Sequence, residues 1–265
     1  MIECDVLSPP RCSVALAYEC DMAGVVEARA HLVRICGFAA ANDIRLQLFA
    51  LGTDAAALGE LPGAPEVDLL TPALAPPDTD LAALEDDLTR AVDTFVAAAG
   101  QPPRGLRPQA MARNGIQKQV DLQELLLQQG FEFISSDYST RHRAHAHDKA
   151  ADDNAVRNMK HLQARRYPSG LWEIPATGYS DTDFLDELGG SRDDWIAHMK
   201  GCLEFACNLG GLVYAPRLSL SAQVQHDPDL RSLSEFVEYA AGLRESVAFV
   251  TYRDTHSLAS VAVSL

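Results

Sequence analysis

The feature that most constrains the fold is the alternation of short apolar runs with amphipathic helical segments along nearly the whole chain. Residues 12–18 (CSVALAY) read as a buried strand, and 24–42 carry helical periodicity through Val25, Ala28, Leu32, Ile35 and Phe38, stopped by Asn42 and Asp43. Residues 44–51 (IRLQLFAL) form a second strand ended by Gly52. A helix is expected over 79–99, capped by Thr79 or Asp78 and closed by Gly100. A short strand at 104–108, an amphipathic helix at 116–129 ending at Gly130, and strands at 131–135 and 171–175 continue the pattern. Helices over 191–208 and 228–243, with strands at 211–218 and 246–252, complete it. Such alternation predicts a parallel sheet or barrel with helices outside, working from the C-terminal ends of its strands.

The 265 residues suit one large domain, 1–265, long enough to bury a sizeable core. The stretch 138–170 stands apart. It is polar and rich in charge and histidine, and reads as a surface insertion or flap. A net charge of −15 argues against a phosphate-backbone partner, because nucleic-acid binding needs a basic surface, and it disfavours an anionic membrane face. No apolar run is long enough to span a bilayer, and MIECDVLSPP has neither the basic start nor the apolar stretch of a secretory signal. The expected location is therefore cytoplasmic, and the six cysteines, which lack CxxC spacing, are expected as free thiols. Self-association into a homo-oligomer is left open.

No GxGxxG or GxxxxGK[ST] follows the first strand, so the usual phosphate cradle of nucleotide-binding folds is missing, and no GxSxG elbow is present. The strand ends supply the candidates for chemistry. Glu19 and Asp21 follow the first strand one residue apart, which puts both on one face of an extended chain. Two such carboxylates could hold a divalent metal or split their pKa values; they could equally be solvated acids. Arg107, before Pro108, could orient a carboxylate or lie on the surface. Asp137, Tyr138, Trp172 and Tyr179 stand where a sugar could be bound, although an aromatic in LWEIP also suits a core. His142, His145 and His147 have metal-compatible spacing within a polar, basic stretch that also reads as a solvated loop. His226 precedes Asp227, an expected N-cap, and Pro228, an expected first helical residue.

In order along the chain, VALAYECDMAG, IRLQLFALG, GLRPQAMARNGIQ, LLLQQGFEFISSDY, LWEIPATGYSD and FVEYAAGLRESVAFVTYRD resemble the motifs of the polysaccharide deacetylase family, the NodB-homology or carbohydrate esterase 4-like proteins. The resemblance covers nearly the whole chain and implies an α/β fold, a distorted (β/α) barrel of about seven strands. It implies that Glu19 stands for the catalytic base, Asp21 for a metal ligand and Arg107 for the residue that orients the base, with His226 as the nearest match to the late histidine. The activity implied is hydrolysis of an N-acyl group of an amino sugar or related amide, with a divalent metal such as zinc as cofactor. The family's His-x-x-x-His pair falls on Leu70 and Leu74 in EVDLLTPAL, and leucine has no lone pair to give a metal. The alternative is an inactive deacetylase-fold protein that binds a sugar or serves as an accessory subunit.

Overall fold

The computed structural model describes residues 12–22, 27–74, 80–138, 156, 158–243 and 247–255. Strands β1 (Cys12–Val14), β2 (Ala17–Cys20), β3 (Gln47–Ala50), β4 (Glu66–Ala73), β5 (Gly105–Ala110), β6 (Phe133–Ile134), β7 (Arg165–Arg166), β8 (Trp172–Glu173), β9 (Leu212–Tyr214), β10 (Arg217–Ser219) and β11 (Val247–Phe249) form two sheets. Their orders are β10-β2-β3-β4-β5-β6-β8-β7 and β11-β1-β9. Every pairing is parallel except that of β7 with β8. The expected first strand is thus two strands in tandem, β1 and β2, each pairing in a different sheet. The same break divides 211–218 into β9 and β10. The helices are α1 (Ala28–Ala41), α2 (Leu81–Ala99), α3 (Val120–Gln128), α4 (Arg192–Leu209), α5 (Leu220–His226) and α6 (Arg231–Gly242).

The sheet curls into a half-barrel through the twist of its strands, and their two alternating faces are both apolar and both covered. Tyr18, Cys20, Leu48 and Ala50 point outward to pack with Leu32 and Ile35 of α1, Trp195 and Leu203 of α4, and Phe236 of α6. Leu69, Leu106 and Ile134 point outward to Leu88 and Phe95 of α2 and Leu122 and Leu126 of α3. The alternate residues Ala17, Phe49, Leu70 and Phe133 point inward, where they meet Ile174, Ala215, Val250 and Tyr252. Fixing the inward set in this way fixes which polar residues enter the barrel, since a strand's side-chain period is two.

Three expectations about helix ends are corrected. The cap of α2 is Asp80, whose side chain accepts from Ala82 N at 3.0 Å, one or two residues after the expected Asp78 or Thr79. The expected helix over 228–243 is α6, but it starts later, at Arg231 after Leu230 in a left-handed conformation (φ 60°), and a separate helix, α5, ends before it at His226. Asp227 does accept from a helical N–H, but that of Ser232 at 3.0 Å, so it braces the junction between α5 and α6 and does not cap a helix at Pro228. Ser191, by contrast, begins α4 with a capping box to Asp194, as its sequence position suggests. Cys12, Cys20, Cys36, Cys202 and Cys207 are in no disulfide, the first four buried; Cys4 lies outside the described residues.

Candidate functional site at the barrel mouth

Glu19 and Arg107 are inward-facing residues of β2 and β5, and the barrel brings them together with a third residue, Arg217 of β10. Arg217 grips the Glu19 carboxylate with both ends of its fork, Nε to Oε1 at 2.6 Å and Nη2 to Oε2 at 2.9 Å. From the other side Arg107 Nη1 lies 3.7 Å from Oε1. Arg107 has no exposed surface. Its Nη2 donates to Ser135 Oγ at 3.1 Å and to the Tyr252 hydroxyl at 2.5 Å, and its guanidinium sits 4.3 Å from the centre of the Phe49 ring. Glu19 is therefore a carboxylate held between two guanidinium groups. Its charge balances a buried cation, and both of its oxygens are engaged.

The mouth widens above this triad. Gln109 joins it, donating from Nε2 to Asp21 Oδ2 at 3.0 Å while its carbonyl accepts from Arg217 Nη2 at 2.9 Å. The Tyr138 ring lies 5.8 Å from the Arg217 guanidinium, and its hydroxyl donates to Asp183 and accepts from Ser180 N at 2.8 Å. Burial pushes the Tyr138 phenol well above its ordinary value, so it remains a neutral donor. Behind the mouth, Asp181 is buried and accepts from Ser219 N at 3.0 Å, Thr182 N at 2.8 Å and Gln223 Nε2 at 2.8 Å. Burial outweighs these bonds and pushes its carboxyl up to about 7.

The remaining expected site residues fall elsewhere. Asp137 is buried and takes part in the rim: Oδ1 accepts from Asn114 N at 2.7 Å and Oδ2 from Arg165 Nη2 at 2.6 Å. Trp172 is half-buried against the barrel-interior cluster. Tyr179, expected to meet a sugar, is core: it is 4% exposed, with its ring 5.9 Å from Phe184 and 5.2 Å from His198. His226 pairs with Asp186 at 2.6 Å, and among the described residues no contact joins it to the Glu19 triad. His142, His145 and His147, with most of the 138–170 stretch, lie outside the described residues.

Leu70 and Leu74 do not share a face. Leu70 is buried inside the barrel, in register with Arg107, whereas Leu74 follows the end of β4 and packs with the outer α2–α3 cluster. The residues present do not fit a divalent metal. Among the described residues no three His, Cys, Asp or Glu side chains are grouped to hold one. At the mouth an ion on Asp21 would find that carboxylate held by Gln109 and a Glu19 already neutralised by two fixed guanidinium charges.

Two cavities open at the rim. One, of about 750 Å³, is lined by Leu74, Pro108, Met111 and Ile116 with Asn114 and Gln117. The other, of about 380 Å³, is polar and includes Arg113, Asp137 and Arg165. Between them runs the loop 112–119. It is tied down by Ala112 N to the Ser136 carbonyl (3.0 Å), Asn114 N to Asp137 Oδ1 (2.7 Å) and Gln123 Nε2 to the Ile116 carbonyl (2.8 Å). Beneath it Glu173, a fully buried carboxylate, accepts from Ser136 N (2.8 Å), Ser136 Oγ (2.7 Å), Asp137 N (3.0 Å) and the Tyr167 hydroxyl (2.7 Å). Sequence reasoning missed Arg217, Gln109 and Asp183. Arg217 does carry a signal, since an arginine inside the apolar run LVYAPRLSL must find an internal partner.

No family model matches the sequence, and no curated protein does. Solved structures do. A polysaccharide deacetylase-like protein from Mycobacterium smegmatis superposes with a TM-score of 0.66 at 13% identity, covering 96% of this chain and 92% of that one. The chain has the polysaccharide deacetylase fold. A structure described as a polysaccharide deacetylase from Pseudomonas aeruginosa PAO1 gives 0.66 at 13% identity, over 94% and 91% of the two chains. The PuuE allantoinase gives 0.65 at 15%, over 94% and 90%. A carbohydrate esterase 4 family pseudoenzyme from Bacillus anthracis is also similar, at 0.51 and 14%, over 94% of this chain and 66% of that one. At these identities the likeness establishes the (β/α) barrel architecture and its NodB-like strand arrangement.

Proposed function

We propose that this chain is a carbohydrate-binding protein built on the deacetylase barrel, which recognises an amino sugar or related amide at the barrel mouth without metal-dependent hydrolysis. The observation that carries the reading is the state of Glu19. Arg217 takes one acceptor site on each Glu19 oxygen, with Arg107 beneath, so a proton from water would have to be accepted beside two fixed guanidinium charges, and the acid serves as their counter-ion. What the mouth offers instead is recognition. Gln109, Arg217 and Tyr138 bring polar groups and an aromatic ring to it, and the rim, on the loop after β5, holds a cavity of about 750 Å³, within the size of ligand pockets, about 300–1,000 Å³. Hydrolysis of an N-acyl group is the second reading, favoured by Asp21, which stands at the mouth as the deacetylase resemblance requires of a ligand.

Calorimetric titration of the full chain with N-acetylglucosamine oligomers, beside an acetate-release assay with and without added zinc, separates the two. Saturable binding with no acetate released is the expected result. Zinc-stimulated acetate release would overturn the reading in favour of the second, and an absence of binding would refute carbohydrate recognition.

A further inference from the structure

We propose that the 380 Å³ rim cavity binds an anionic group, a carboxylate or a phosphate carried on a sugar. The proposal rests on the carbohydrate reading above and extends it to the class of sugar. Arg113, Arg165 and His161 line the cavity with the amides of Asn114, Gln117 and Asn158, and among the described lining residues the one acid is Asp137. Asp137 and the buried Glu173 behind it balance Arg165, which leaves Arg113 as the lining arginine with no carboxylate partner among the described residues, on a chain whose net charge is −15. Asp137 is already satisfied by Asn114 N and Arg165. Arg113 makes no hydrogen bond or ion pair among the described residues, so its guanidinium fork has no acceptor among them, and planar forks suit carboxylate and phosphate.

The loop that carries Arg113 is held at a conformational cost. Asn114 and Gly115 are successive left-handed residues, φ 67° and 53°. A Cβ at Gly115 would come within 2.6 Å of Glu173 Oε2 and of Ser136 Oγ, so only glycine fits against the buried carboxylate. Strain and a buried charge at one loop are the signature of a positioned site. Because Arg113, Asn114 and Gln117 line both rim cavities, one ligand can lay a ring against Leu74 and Met111 and its acid against Arg113.

The test is titration of the full chain with glucose, glucuronate and glucose 6-phosphate, repeated on Arg113→Gln and Arg113→Lys. At least one acid should bind about tenfold tighter than glucose, the scale of one charge-assisted contact. The preference should weaken with salt, vanish in Arg113→Gln and persist in part in Arg113→Lys. The acid preferred identifies carboxylate or phosphate as the group. Equal affinity for glucose and both acids, or a preference that survives in Arg113→Gln, would overturn the proposal. If N-acetylglucosamine oligomers bind meanwhile, the carbohydrate reading stands without it. If no sugar of either kind binds, both fall.

Discussion

Replacing Glu19 by Gln should destabilise this protein far more than removal of a catalytic carboxylate would. The magnitude follows from Arg107. It has no exposed surface, its hydrogen-bond partners Ser135 and Tyr252 are neutral, and among the described residues Glu19 is the one carboxylate within ion-pair distance. Glutamine keeps the size but removes the charge, leaving a buried guanidinium uncompensated, a loss of about 3–5 kcal/mol. Arg217 suffers less, since its side chain is 21% exposed and it retains the Gln109 carbonyl. For a chain of this length the loss corresponds to a fall in Tm of roughly 6–20 °C. Urea unfolding followed by far-UV circular dichroism measures it. Adding Arg107→Met should recover part of the loss, because the orphaned charge is replaced by an apolar chain among Phe49, Leu70 and Phe133. A Glu19→Gln protein within about 1 kcal/mol of the wild type, or more stable, would refute the reasoning, since that is the usual size of an ordinary substitution.

Gly115→Ala forces a side chain into Glu173 and Ser136 at a left-handed position, and should cost at least about 1–3 kcal/mol in the same unfolding assay. An unchanged midpoint would mean that the rim loop is not pinned. Asp181 supplies a pH dependence. Its folded pKa of about 7 lies above the ordinary 3.8, so the folded state keeps a proton that the unfolded chain gives up, and stability from this group is full below 3.8 and lost as pH rises through 7. At about 1.4 kcal/mol per unit the loss is at most about 4 kcal/mol. Asp181→Asn, which cannot ionise, should therefore gain stability relative to wild type between pH 4 and 7. A wild-type to variant difference that does not change with pH would contradict this.

How much of this was legible in the sequence depends on the reach of each interaction. The strand–helix order was readable because apolar periodicity is local, and the inward direction of Glu19 and Arg107 follows once their strands are placed. Periodicity did not mark β4, although it is the longest strand described; it was placed only by the family alignment of EVDLLTPAL. It carries Pro72 and a buried Asp68, which accepts from Gly105 N, Arg104 N, Gln47 and Arg253, partners that no local pattern announces. Arg217 lies 198 residues from Glu19, so the grip that redefines the acid's role depends on barrel closure. Tyr179 could be placed beside a motif but not on a side of the sheet, and packing put it in the core. For His226, Asp227-Pro228 has the composition of a helix start, yet the chain ends one helix there and begins the next at Arg231.

The central claim is that the mouth of this deacetylase-type barrel is organised by the Glu19–Arg217–Arg107 triad and not by a metal ion. Elemental analysis of the purified full chain after incubation with zinc and desalting tests it most directly. The account predicts far less than one zinc per chain, and the same trace content in Asp21→Ala. One zinc per chain, lost in Asp21→Ala, would contradict it.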